Sequence, residues 1–200
     1  MKVTIIPCHQ RRGEFSILLD EEPVGKIHGS IFGWRPSFPK MVATIEEWRT
    51  LFDEKEYRQA KNYTLRRLSK QSYYSGQLAK LLKEKFVQPK TIQRLVTEAQ
   101  ELGFLDDEAW LQMFIRSHLR RYGKRAVYTK LLGKGVSREE AQRVIEKECS
   151  SEEEAESIQH LIRTRYRSRD FSDRKEKQKV IASLMRKGFS LDLICAALKE

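Results

Sequence analysis

The spacing of apolar residues changes near residue 44. Before that point they come in short runs separated by turn formers, and Val3 to Ile6, Phe15 to Leu19 and Val24 to Ile31 are predicted as short strands. Asp20-Glu21-Glu22-Pro23 is predicted as the turn between the second and third, with Pro23 presetting one backbone angle. Trp34-Arg35-Pro36-Ser37-Phe38-Pro39 reads as a loop. A lone hairpin is marginal in water, so this segment must either pack on helices or stay mobile. From Thr44 onward the period is helical, and helices are predicted over 44–52, 54–69, 73–85, 89–102, 107–121, 124–133, 137–149, 151–167, 173–187 and 190–199. Three capping boxes punctuate them: Thr44 with Glu47, Ser137 with Glu140, and Ser151 with Glu154. Pro89 suits a first helical turn, where its missing amide hydrogen costs nothing. Gly103, Gly123, Gly133, Gly135 and Gly188 mark helix ends or turns.

The helices repeat. LLKEKFVQPKTIQRLV from Leu81, LLGKGVSREEAQRVI from Leu131 and LMRKGFSLDLICAAL from Leu184 each give a leucine-rich helix end, a basic residue, then Phe86, Val136 or Phe189, a short polar linker and another amphipathic helix. The spacing of about 50 residues suits a three-helix unit stacked in a row. One such unit buries too little apolar surface alone, so neighbours share cores. The expected fold is all-α: three tandem three-helix repeats in an elongated array, behind a small β-rich N-terminal segment. The expected divisions are 1–52 for that extension with its short helix, then 53–105, 106–150 and 151–200 for the three units. Each unit also has a helix-turn-helix look, though none of the last helices opens with a clear set of base-reading side chains.

Composition supports long helices with wide solvated faces: 40% of the 200 residues are hydrophobic and 34% charged. The formal net charge of +11, from 39 basic and 28 acidic residues, favours a polyanionic partner and salt-sensitive association. Cys8, Cys149 and Cys195 are odd in number, far apart and in no CxxC pair, which argues for a reducing compartment. No apolar stretch approaches the roughly 20 residues of a membrane span, and a cytoplasmic protein is expected. No phosphate-binding loop, GxGxxG or HExxH is present, and Cys8-His9 lacks the rest of a zinc set. His118 and His160 read as surface groups, and Cys149 and Cys195 as small apolar residues. No nucleophile, base and oxyanion site can be assembled from a local pattern. An enzyme is not expected, nor any cofactor or metal.

Family likeness enters where the first and second units meet. Gly103-Phe104-Leu105-Asp106-Asp107-Glu108-Ala109-Trp110 resembles the RecX pattern of a glycine, an apolar pair, two aspartates and an aromatic. Ala60, Leu65, Leu68 and Ser69 are similar to that family's first helix. Arg116, Gly123 and Leu131-Leu132-Gly133-Lys134-Gly135-Val136 resemble its middle, and Leu184 to Phe189 its ending. The likeness covers roughly residues 54 to 200. Two places depart from it: the stretch Ser69 to Gly76, and Phe86, which follows Lys85 where a glycine is common. The aspartates need no chemistry, since either can cap the following helix and both favour its positive end.

The basic stretches carry the functional reading. Arg116, Arg120, Arg121, Lys124, Arg125 and Lys130 gather around one helix-to-helix join, with more charge than helix ends require. Arg163 and Arg167 share a helix face further on, although Glu152 to Glu154 and Asp170 could pair with that region as a solvated face. The resemblance implies a curved row of units in the groove of a RecA filament on single-stranded DNA. There the protein would touch RecA subunits and DNA phosphates and hinder ATP hydrolysis, strand exchange and filament growth. A monomer is expected. The other reading is a stand-alone helix-turn-helix protein that binds duplex DNA directly.

Overall fold

A computed structural model describes residues 1–8 and 11–199. The chain divides into two compact units, Met1–Asp106 and Asp107–Glu200. His9, half of the Cys8-His9 pair, lies outside the described residues.

The first unit opens with a three-stranded antiparallel sheet in the order β1 (Val3–Pro7), β2 (Glu14–Leu19), β3 (Glu22–His28). β2 alternates, and Ile17 and Leu19 point into the core with Ile27 from β3. The hairpin loop between β2 and β3 is shorter than expected. Only Asp20 and Glu21 form it, both at positive φ (47° and 74°), and Leu19 pairs directly with Glu22. Two residues at positive φ match the right-handed twist of the flanking strands. Pro23 therefore lies within β3, which tolerates it as an edge strand. β3 also ends earlier than the apolar run does. The His28 imidazole accepts from the Ser30 amide (3.0 Å) and caps the short helix α1 (Gly29–Phe32).

The helices predicted at 44–52 and 54–69 are one, α2 (Ile45–Leu68). Asp53 does not break it, because its carboxylate is used elsewhere: it accepts from the Gln88 side chain (3.3 Å) and pairs with Lys90. Thr44 caps α2 as predicted, accepting from the Glu47 amide (3.1 Å), while Glu47 reaches back to the Ala43 amide (2.6 Å). α3 (Ser75–Lys83) and α4 (Pro89–Glu101) complete this unit. Its core joins the sheet to all three long helices through Ile17, Ile27, Trp48, Leu78, Leu82 and Leu95, so the β segment is packed on helices. Phe32, Phe38, Trp48 and Phe52 form an aromatic cluster at one side of that core.

The second unit holds α5 (Asp107–Leu119), α6 (Lys124–Gly133), α7 (Arg138–Glu148), α8 (Ser151–Thr164), α9 (Arg174–Arg186) and α10 (Leu191–Ala197). Trp110, Ile115, Val127, Leu131, Ala141 and Ile145 supply the buried positions of α5–α7. Ile158, Leu161, Tyr166, Val180, Leu184 and Ile194 form a core among α8–α10. Ser137 caps α7 as predicted, accepting from the Glu140 amide (3.1 Å). The predicted box of Ser151 with Glu154 is displaced by one residue. Ser150 is the cap, its hydroxyl accepting from the Glu153 amide (3.1 Å) while Glu153 accepts from the Ser150 amide (2.9 Å). This register turns Glu154, Ile158 and Leu161 inward together.

The repeated turns close in one way. The amide of Val87 donates to Leu82, that of Val136 to Leu131, and that of Phe189 to Leu184, each spanning five residues as in a Schellman stop. The residue before each donor has positive φ: Phe86 61°, Gly135 89° and Gly188 90°. The first turn is thus one residue out of the expected register. Val87, not Phe86, is the buried equivalent of Val136 and Phe189. Among the described residues, no helix is long and apolar enough to cross a membrane.

Candidate nucleic-acid interface

The predicted basic residues of the central stretch sit around the α5–α6 join. Arg116 is exposed on the last turn of α5, and Arg120 and Arg121 are exposed in the turn that follows it. Lys124 and Arg125 begin α6, and Lys130 ends it. An aromatic ladder at helical spacing runs along α5 into the turn after it: Trp110 stacks on Phe114 (4.8 Å), Phe114 on His118 (4.0 Å), and His118 on Tyr122 (6.0 Å between centroids). His118 is therefore half-buried in a stack, whereas His160 is an exposed surface group.

Tyr122 brings two ammonium groups to one ring. The Lys130 ammonium lies 4.4 Å from its ring centroid, and that of Lys187 lies 5.1 Å away. Lys187 comes from the end of α9 and was not among the residues predicted from sequence. A close backbone approach brings it in, because the Gly123 amide donates to the Lys187 carbonyl (2.9 Å). A Cβ on Gly123 would lie 2.5 Å from both the carbonyl carbon of Gly188 and the amide nitrogen of Phe189. A Cβ on Gly188 would lie 2.5 Å from the amide nitrogen of Ala126. Two glycines, 65 positions apart, thus let the α9–α10 turn seat against the α5–α6 join.

Buried Glu154 anchors the start of α6 by accepting from the Lys124 amide (3.2 Å). A carboxylate there suits the positive helix end and fixes the backbone from which Lys124 and Arg125 project. Beside it, Glu152 is held below its ordinary pKa, first by a backbone hydrogen bond at its own residue, then by the Ser150 hydroxyl, with Lys124 adding to both. Burial pushes the neighbouring Cys149 thiol up to about 11, against the opposing pull of Lys124, so it is protonated at neutral pH. That chemistry suits a packing residue rather than a nucleophile.

Arg163 ends α8, where its guanidinium donates to the Gln159 side chain (3.1 Å), and Arg167 is exposed beyond it. Among the described residues, neither has a hydrogen bond or ring contact with the central join. None of the eight predicted cations forms an ion pair with a described acidic residue, whereas Arg169 pairs with Glu176 (2.7 Å). No group of acidic, histidine or cysteine residues among those described could hold a metal ion.

Helix triplets closed by a repeated glycine-type stop, with a cation-rich join over aromatic rings, define a basic helical repeat protein. Comparison with known proteins narrows the class. Residues 152–198 match the family described as "RecX, third three-helix domain". A Regulatory protein RecX from Caldanaerobacter subterraneus subsp. tengcongensis is 26% identical over 99% of this chain and 98% of its own length. Another, from Clostridium perfringens, is 28% identical over 74% of this chain and 71% of its own. A solved structure, "Crystal structure of regulatory protein RecX", covers 100% of this chain and 99% of its own, with a TM-score of 0.61 at 20% identity, and supports the fold. The chain is thus similar to RecX-family proteins along its length.

Proposed function

We propose that this chain is a non-enzymatic regulator that binds the RecA filament on single-stranded DNA and restrains it, slowing ATP hydrolysis, strand exchange and filament growth. Likeness to relatives that carry the name Regulatory protein RecX supports a regulatory role. The observation that carries the nucleic-acid part is the set of cations at the α5–α6 join, two of them (Lys130 and Lys187) held near Tyr122, and none in an ion pair with a described acidic residue. Arg116, Arg120, Arg121, Lys124, Arg125 and Lys130, joined by Lys187, are the contact residues of this reading, and Arg163 and Arg167 extend it. Cations unpaired in the free protein can meet phosphates without first losing a carboxylate, and each contact releases about one counterion.

The test is RecA-catalysed ATP hydrolysis and strand exchange on single-stranded DNA, with increasing amounts of the purified chain. Both activities should fall, and the chain alone should hydrolyse no nucleotide. Unchanged RecA activity at saturating protein would sink the reading. Capture by RecA in the absence of DNA, compared with capture by DNA alone, separates a filament regulator from a stand-alone duplex binder.

A further inference from the structure

The first unit has a feature for which the regulatory reading has no use. A cavity of about 790 Å³ opens where β3 faces the start of α2 and the α3–α4 turn. Val24, Trp48, Phe52 and Phe86 give it apolar walls, and Lys26, Arg49 and Lys90 bring positive charge to it. Lys90 is paired with Asp53, but among the described residues Lys26 and Arg49 have no acidic partner.

Phe86 provides a second, independent observation. It holds a left-handed backbone conformation that bulky side chains rarely adopt (φ 61°). The two sister turns solve the same geometrical problem with Gly135 and Gly188. The fold itself therefore asks for glycine here. Strained residues of this kind persist where the surrounding structure over-determines them, and they cluster at ligand clamps. Here the unusual side chain lines the cavity.

We infer that this cavity is a docking site for an acidic peptide segment of a partner protein, anchored by one or two apolar side chains. The walls take the anchor, and Lys26 and Arg49 take carboxylates at the rim. The site suits peptide better than nucleic acid. Trp48 is only 5% exposed, so a base would find little indole face on which to stack, whereas apolar side chains can enter between Val24, Phe52 and Phe86. The inference does not depend on the RecA reading, because the basic join lies in the other unit.

The probe is a short fluorescein-labelled peptide of glutamates around a central leucine–phenylalanine pair, titrated with the full chain and followed by anisotropy. Saturable binding is expected. Lys26→Glu combined with Arg49→Glu should weaken it by about tenfold or more, since like charges at a rim oppose association. Phe86→Gly should weaken it comparably while the circular dichroism spectrum stays that of the wild type. Arg121→Ala with Lys124→Ala and Arg125→Ala should leave it unchanged. Equal binding of a peptide whose apolar pair is replaced by glycine and serine would overturn the inference, as would displacement by single-stranded oligothymidylate. Wild-type affinity in either cavity variant would overturn it too. So would self-association of the chain, seen by sedimentation, that the cavity variants abolish, because the occupant would then be a second copy.

Discussion

Substituting Gly123 by alanine separates close approach from backbone strain. Gly123 has φ −74° and ψ 166°, a conformation alanine adopts freely. Its added methyl would meet only backbone, 2.5 Å from the Gly188 carbonyl carbon and the Phe189 nitrogen. Backbone cannot swing aside as the tip of a side chain does, so the α9–α10 turn must back away. Overpacking of this kind costs about 1–3 kcal/mol. Losing the hydrogen bond from the Gly123 amide to the Lys187 carbonyl adds about 1 kcal/mol. The expected loss of about 2–4 kcal/mol should lower the melting temperature of a unit this size by about 10–20 °C. The control is Gly103→Ala in the other unit, where φ is 72° and nothing lies within 4 Å of the new methyl. It carries left-handed strain alone, about 1–2 kcal/mol. Thermal unfolding followed by circular dichroism reads both. If Gly123→Ala melts within about 2 °C of wild type, a shift worth under about 1 kcal/mol, the close approach holds nothing together. Because the same contact carries Lys187 to Tyr122, the variant should also bind the RecA–DNA filament more weakly at temperatures where it remains folded.

Three further outcomes are expected. Replacing Arg121, Lys124 and Arg125 together with alanine should weaken filament or DNA binding and make its salt slope shallower by about 2–3 units, with helicity retained; a folded variant with unchanged affinity and slope would leave these residues as a solvated face. Glu98 is held down to about 2 by hydrogen bonds from Tyr57 (2.6 Å), Lys61 (3.0 Å) and Arg94 (3.0 Å). Its folded value is lower than its unfolded one, so its contribution is full above the unfolded value of about 4.3 and is lost as pH falls toward 2. Glu98→Gln should accordingly flatten the acid limb of the stability profile across that window, and an unchanged limb would refute the assignment. Burial raises the pKa of Glu56, although it accepts from the Thr91 hydroxyl (2.5 Å) and the Gln88 amide (3.1 Å). Glu56→Ala should cost about 1–3 kcal/mol by stranding those donors, and Glu56→Gln, which keeps the volume and one acceptor oxygen, distinctly less, as chemical denaturation would measure; equal losses would refute the idea that an amide can stand in for the carboxylate at those donors.

Most helices were legible because their signals are local. Thr44 and Ser137 each announce a helix within four residues, and Pro89 opens α4 where its geometry allows. Sequence and structure part where a local signal has two solutions that only packing decides. Ser150 and Ser151 are both plausible caps with a glutamate three residues on. With Ser150 as the cap, Glu153 closes the box and Glu154 is left to accept from the Lys124 amide of α6. Matching the repeats by their apolar residue placed Phe86 opposite Val136 and Phe189. The stop, however, is defined by the positive-φ position, and at that place the first unit lacks the glycine that would have marked it.

The basic join shows the same limit in the candidate site. Its chain-local members were visible as a charge run, but Lys187 arrives through a backbone contact between Gly123 and the α9–α10 turn, 64 positions away. A glycine read alone announces a helix end; here a pair of them permits an approach that no local pattern encodes. The arrangement has an electrostatic consequence. Lys130 and Lys187 are like charges gathered near one ring, and a cation–π contact at a solvated site contributes only about 0.5–1 kcal/mol. The ring therefore positions the two ammonium groups without neutralising them. A phosphate entering between them would relieve their repulsion and form charge-assisted hydrogen bonds, roughly twice as strong as neutral ones. In the proposed reading, Tyr122 holds cations in place for an anion that the chain itself does not provide.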